Sequence, residues 1–310
     1  MSTATPVLAR PVASPGELRA RRLTTERGPW RLAWQRLTRH RLAILGLSTL
    51  VLLVLACVFG PMFVPYSFEQ TDLRARLSGP SFRHLFGTDE VGRDALVRVL
   101  YGGRVSLTVG FLVAMSSAIL GGVIGGVCGY VGGWLDNLVM RIVDLSYSLP
   151  RVVVLLVMSK IVGPGVVSII LILVVLEWTS VARLTRGMVL SVRQNTYVEA
   201  ARSSGANGSQ VLFRHILPNS LTPLIVAATL DAGAAIRAET TLSFLGLGIQ
   251  PPDPSWGNLL SNASAYFFTA PWQVFFPGLL IFLALMSFNL AGDGLRDALD
   301  PRLTPRGTGR

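Results

Sequence analysis

Residues 199–218 read EAARSSGANGSQVLFRHILP, a small, polar, glycine-broken island set between long apolar runs. The stretch is too hydrophilic to lie in hydrocarbon, and it carries two local helix signals. Glu199, Ala200 and Ala201 lead toward Gly205, a run of good helix formers closed by a residue suited to a left-handed C-cap. A second helix opens at the capping cluster Asn207-Gly208-Ser209 and runs through Val211, Leu212 and Ile216 to Pro218. A short helix, a sharp turn and another short helix at a membrane surface form a rigid knob, suited to a partner's groove.

The flanks of this island set the class. The chain has 310 residues, of which 51% are hydrophobic and only 15% charged, and a mean hydropathy of +0.52. Soluble domains average about 25% charged residues. Apolar runs near the roughly 20 residues that a bilayer core requires recur at 42–65, 105–130, 137–161, 164–182, 219–240 and 274–292. The expected fold is an all-α membrane protein of six transmembrane helices, which excludes a soluble globular domain. It divides into an Arg-rich arm (1–41), a first helix with an external segment (42–104), a five-helix core (105–292) and a tail (293–310). The core carries the polar loop at about 183–218.

Arginine sets the orientation. Arg10, Arg19, Arg21, Arg22, Arg27, Arg31, Arg36, Arg39 and Arg41 precede the first span against only Glu17 and Glu26, so the arm is expected in the cytoplasm. Six crossings return the tail (Arg296, Arg302, Arg306, Arg310) to the same side, together with the 183–218 loop and its Arg183, Arg186, Arg193, Arg202 and Arg214. Residues 241–273 hold no Lys or Arg, as suits an external loop. Residues 66–104 fit less well, although Glu69, Asp72, Asp89, Glu90 and Asp94 nearly balance their arginines. The net charge of +11 is expected to face anionic lipid headgroups rather than nucleic acid. The arm to about residue 28 reads as disordered, and the first apolar run as an uncleaved helix rather than a secretory signal.

Little in the chain supports enzyme chemistry. Cys57 and Cys128 fall inside spans, and His40, His84 and His215 are far apart, so no disulfide framework or metal site is expected. Lys160 is the only lysine and stands in no phosphate-binding loop; no nucleophile elbow appears. Charges within spans each cost about 2.5–3.5 kcal/mol at mid-bilayer. Arg141 and Asp144 are spaced to pair on one helix face. Glu177 and Asp231, deep in the fourth and fifth spans, are candidates for lining a polar path or for packing against another subunit. Arg237 and Glu239 stand near a span end, where snorkelling suffices. Pro150 reads as a kink inside the third span. Gly121 with Gly125, and Gly122 with Gly126, form GxxxG pairs that permit close helix packing.

The island resembles the EAA loop of ABC importer permeases: Glu199, Ala200, Ala201, Gly205, Leu217 and Pro218 match that pattern. Where the general pattern has Ile two residues before the Leu, this chain has His215, and residues 215–219 (HILPN) are similar to the peptide and nickel branch. The branch is also resembled by GTDEVGRD (87–94), GRVSL (103–107), GYVGG (129–133) with Asp136, LSFLGLG (242–248) and FNLAGDGLRDALDP (288–301). In that order, over nearly the whole chain after the arm, these identify a DppC/OppC-type subunit of a dipeptide or oligopeptide importer.

The resemblance implies the ABC type I importer permease fold in a bacterial inner membrane. It also implies several partners: a homologous DppB/OppB-like permease, two ABC ATPase subunits that bind ATP and Mg, and an extracytoplasmic solute-binding protein delivering a peptide. Glu199, Ala200, Ala201, Gly205, Ala206, His215, Leu217 and Pro218 would seat the knob in an ATPase cleft. Glu199 either meets a basic group there or favours its own helix N-terminus. Asp89, Glu90, Arg93, Asp94 and Trp256 are candidates for docking the binding protein; the charged four are equally suited to fastening a short surface helix at 85–101 by internal pairs. A nickel or other small-solute importer remains an alternative, and a secondary transporter a lesser one.

Overall fold

The computed structural model describes residues 34–299, and every regular element among them is helical. After a helical turn at 34–37, α1 runs Arg41–Phe59 and tightens into a 3-10 turn, Gly60–Phe63. Then come α2 (Ala95–Val131), α3 (Gly133–Ser148), α4 (Arg151–Val162), α5 (Val166–Val192) and α6 (Thr196–Ser203). Next, α7 (Gly208–Gln210), a π-helical stretch (Val211–Ile216) and α8 (Leu217–Phe244) follow without interruption. Two more helices, α9 (Trp256–Ala263) and α10 (Trp272–Leu299), complete the described chain. Among the described residues, five helices are long and apolar enough to cross a bilayer: α1 with its 3-10 turn, α2, α5, the α7–α8 rod and α10. A sixth crossing is possible only as the α3–α4 pair, which bends by 98°.

Several boundaries differ from the sequence expectation for physical reasons. The expected surface helix at 85–101 is not separate. Asp94 caps Val97 N at 3.0 Å, and from Ala95 the chain runs straight into α2, ten residues ahead of the expected span. The third span is broken at Leu149-Pro150, where Leu149 takes an extended ψ of 140°, as a residue before proline prefers. Pro150 is therefore the N-cap of α4 and not a kink within a helix. Helix α5 continues ten residues past the expected end at 182, so Arg183 and Arg186 stand on a helix rather than in the loop. Arg183 takes the carboxylate of Asp144 at 2.7 Å and covers the Tyr147 ring, so Asp144 pairs across helices rather than with Arg141. Pro218 does not stop the second knob helix but sits in the first turn of α8. Its ring is tolerated there, and the wider π turn just before it absorbs the missing N–H, with Leu217 N donating back to Leu212 O. In the expected tail, residues through 299 belong to α10; residues 300–310 and the arm up to residue 33 lie outside the described residues.

Glycines set the close approaches. Gly121, Gly125 and Gly129, one turn apart on α2, meet Trp178, Ala182 and Arg186, one turn apart on α5. A Cβ on Gly121 would lie 2.6 Å from the Trp178 carbonyl oxygen and one on Gly129 2.9 Å from that of Arg186. On Gly125 it would overlap the backbone of Ala182. Gly122 and Gly126 face Leu224 and Leu217 of the rod instead. Thus α2 uses one small-residue face for α5 and the neighbouring one for α8. On the other flank, α1 lies along α10, with Gly46 against Leu290 and Gly294 against Ala43. The ends of α2, α5 and α10 and the starts of α1 and α8 gather at the knob end of the bundle. The opposite, loop end holds 60–94 and 245–271.

Candidate functional site

The knob is built on buried branched residues. Val198 from α6 and Val211, Leu212 and Ile216 from the π stretch pack on Val189 of α5, with Val127, Tyr130, Val192, Ala206 and Leu217 around them. Gly205 makes the turn with a φ of +87°, a conformation that costs a side chain little only when there is none. Gly205 N donates to Arg202 O at 3.0 Å and Ala206 N to Ala201 O at 3.1 Å, closing α6. The next helix opens with a reciprocal capping box: Gln210 N donates to Asn207 Oδ1 at 2.8 Å and Asn207 N to Gln210 Oε1 at 3.1 Å. Arg193 ties the base to α2 through Gly129 O at 3.2 Å, and Arg202 lies over the Tyr130 ring.

The outer surface of the knob is left open. Glu199, Ala200, Arg202, Gly205 and Pro218 are exposed, as are Tyr197 and Phe213. Ala201, Ala206, His215 and Leu217 are half-buried and hold the fold of the knob. Glu199 stands in the first turn of α6, where a carboxylate is favoured by the helix dipole. Tyr197 and Phe213 were not among the expected contact residues; only the burial of their neighbours on the same short helices reveals that they point outward.

Midway along the bundle the acids converge. Glu177 lies 11 residues from the loop end of α5 and Asp231 13 residues from that of α8, depths of about 16 and 20 Å at 1.5 Å per residue. Glu177 is 2% exposed and pairs with Arg151, the first residue of α4. The Oδ2 of Asp231 is buried and lacks a hydrogen-bond partner. The structure thus brings both expected path residues to one level and adds Arg151, which sequence spacing hid because it read as the middle of a continuous span.

The loop-end residues are committed internally. Asp89 accepts from Arg93 Nε at 2.6 Å and from the amides of Val91 and Arg93; Arg98 lies 3.6 Å away. Glu90 also reaches Arg93, at 3.4 Å. Asp94 caps α2 and binds His84 Nδ1 at 2.8 Å. Gly87 and Gly92 turn with φ of +74° and +79°, and a Cβ on Gly92 would overlap the Asp72 carbonyl. Asp89, Glu90, Arg93 and Asp94 therefore fasten the segment ahead of α2. Trp256 is wholly buried, its indole N–H donating to Val99 O at 3.0 Å, so its side chain presents no surface for docking. Glu239 corrects the snorkelling expectation: it is 0% exposed and accepts from Ser106 Oγ at 2.8 Å and Ser243 Oγ at 2.7 Å.

Residues 121–305 match the family described as the binding-protein-dependent transport system inner membrane component. Residues 28–80 match the N-terminal transmembrane domain of oligopeptide transport permease C. The chain is 41% identical over 275 residues to the dipeptide transport system permease protein DppC of Alkalihalophilus pseudofirmus, covering 89% of this chain and 90% of that one. It is 43% identical over 277 residues to a putative peptide permease protein of Brucella suis, covering 89% and 92%. To the glutathione transport system permease protein GsiD of Escherichia coli it is 39% identical over 296 residues, 95% of each chain.

Proposed function

Because the chain belongs to the family of binding-protein-dependent transport system inner membrane components, we propose that it forms one half of the translocation path of an ATP-driven importer for di- or oligopeptides. The relatives' printed substrates, dipeptide and glutathione, are both short peptides, which favours that class over nickel or a larger solute. In this reading the knob end faces the cytoplasm, where its arginines satisfy the positive-inside rule. The loop end faces a solute-binding protein.

One observation carries the mechanism. The exposed knob is continuous through the π stretch with α8 and packed through buried branched residues on the ends of α2 and α5. A push on Ala200 or Phe213 from an ATPase subunit therefore moves helices rather than a loop. ATP binding in the partner ATPases, with Mg, favours one arrangement of the bundle, and hydrolysis releases it. The knob supplies a preformed surface; Asp231, Glu177 and Arg151 line the route between this chain and a second, homologous permease.

The test is purification from the native membrane after mild solubilisation, with mass spectrometry of what accompanies the chain, followed by peptide uptake in vesicles. A second permease, two ATPases and ATP-dependent peptide uptake are expected. Recovery of the chain alone from cells containing the candidate ATPases, or uptake driven by an ion gradient without ATP, would overturn the reading.

A further inference from the structure

We propose that the groove between α1 and α2 holds one phospholipid of the bilayer leaflet at the loop end, with its phosphate on Arg104 and one acyl chain along the groove. The site requires only that α1 and α2 cross the membrane, and it stands apart from the peptide reading above.

The groove has a volume of about 640 Å³. Leu50 and Val54 of α1 and Met62 of its 3-10 turn form one wall, Leu107 and Phe111 of α2 the other, and Phe288 of α10 completes the lining. Met62 is 75% exposed and Phe111 60%, so the groove opens away from the bundle. At the loop end the two helices touch: a Cβ on Gly60 would lie 2.9 Å from Leu100, and one on Gly103 would overlap Cys57 Sγ. From Leu50 to Met62 the groove runs about 18 Å at 1.5 Å per residue, close to the ~15 Å that one leaflet contributes to a bilayer core. Its mean cross-section is then roughly 36 Å², against about 80 Å² for even a slim helix 10 Å across. That width admits a hydrocarbon chain and excludes a further transmembrane helix.

The polar end of the groove carries an unbalanced charge. Arg104 Nε donates to Cys57 O and Nη2 to Val58 O, each at 2.6 Å, and the guanidinium lies over the Tyr101 ring at 4.4 Å. Among the described residues, Nη1 has no hydrogen bond and no carboxylate pairs with Arg104. Both acceptors are neutral carbonyls, so the full positive charge remains. The span ends at Phe63, which places those carbonyls roughly 8–9 Å inside it. A lone cation at that depth is costly; Arg151, by contrast, is neutralised by Glu177. A phosphate is the anion that the membrane itself supplies near this level, and a guanidinium edge suits it. Arg104 stands beside Val58 and Met62 at the loop end of the lining, where the headgroup of a lipid with its chain in the groove would stand. A free anion would leave the groove unfilled. Phosphatidylglycerol fits better than phosphatidylcholine, whose own ammonium offsets its phosphate.

The test uses the protein purified from its native membrane with the subunits that accompany it, in nanodiscs. Met115 is exposed one turn past Phe111 on α2, and Cys57 and Cys128 are buried. Met115→Cys therefore takes a bimane label at the inner end of the groove, read as the difference from unsubstituted protein. Leu52→Cys is the control, an exposed position two residues from both Leu50 and Val54 and hence on the other side of α1. Quenching is measured with phosphatidylglycerol and phosphatidylcholine that carry a doxyl group at the chain end. At Met115→Cys, half-quenching should need about fivefold less of the glycerol lipid, the factor for one basic residue facing anionic lipid. At Leu52→Cys the two lipids should act alike. Arg104→Gln should abolish the preference and Arg104→Lys keep part of it. Val54→Trp, which fills the groove and leaves the Arg104 bonds in place, should abolish it too, and decides the matter if Arg104→Gln fails to assemble. Equal quenching by the two lipids without those substitutions, or a preference that survives Arg104→Gln or Val54→Trp, would overturn the proposal. So would an absence of quenching at Met115→Cys, which would mean that another subunit covers the groove.

Discussion

Gly205 has nothing within 4 Å of where a Cβ would stand, yet its φ is +87°. The requirement is therefore conformational, not steric crowding. Gly205→Val should strain the turn by roughly 1–2 kcal/mol, and retention of ATPase subunits during purification should fall by roughly 5–30-fold. Gly125 shows the opposite case, an α-helical position where a side chain would overlap Ala182. Gly125→Leu should part α2 from α5 and lower the thermal unfolding midpoint in detergent. Gly187→Ala, on α5 with open space around it, should raise the midpoint slightly, because alanine is the better helix former. Gly205 was legible from its place after Glu199-Ala200-Ala201. The GxxxG spacing was legible too, but not which glycine row met which helix, since that depends on how α2 rotates between two partners. Glu239 was misread because its distance from the helix end is visible in sequence, whereas Ser106, far away in the chain, is not.

At the scale of elements, the two short helices of the knob were legible in residues 196–210, where capping residues act locally. Asn207→Ala should remove the capping box at a cost of about 1 kcal/mol, seen as faster amide exchange over 207–216. What followed was less legible, because proline carries two meanings. Pro218 reads as a stop, yet its fixed φ suits the first turn of α8. Pro150 reads as a tolerated kink, yet it marks a 98° break that leaves α4 a half-length helix. Local residues are compatible with either outcome in both cases, and the neighbouring helices decide. At 150 the deciding contacts lie at both ends of α4: Arg151 on Glu177, and the Ser159 hydroxyl on the Leu247 carbonyl.

Across the whole molecule, α8 is the continuous element, with the knob at one end and the Glu239 cluster at the other. Through Ser106, whose Oγ also accepts from Trp256 N at 3.3 Å, and through Ser243, which receives Ile249 N at 3.1 Å, Glu239 joins α8 to α2 and to the start of α9. The motif residues at 103–107 and 242–248 thus serve this junction, and Arg104 caps the end of α1 through Cys57 O and Val58 O, each at 2.6 Å. Glu239→Ala should leave the O–H groups of Ser106 and Ser243 without their acceptor and cost about 2 kcal/mol or more, read as a lower unfolding midpoint, with Glu239→Gln, which keeps one of the two acceptor oxygens, recovering part of the loss. Five of the six expected crossings and the polar island were legible from hydropathy alone, the sixth proving to be a bent pair; the Glu239–Ser106–Trp256 junction was not, since it joins residues more than a hundred positions apart. The claim on which the account turns is that the knob touches an ATPase. Cys57 and Cys128 are both buried, so Ala200→Cys provides an exposed thiol for a benzophenone maleimide in native membranes, with Phe268→Cys as the loop-end control. Photolysis should join the chain to an ATPase subunit from position 200 and not from 268, with a yield that changes on adding ATP. Capture of no ATPase from position 200, in membranes where the ATPases co-purify with the unmodified chain, would contradict it.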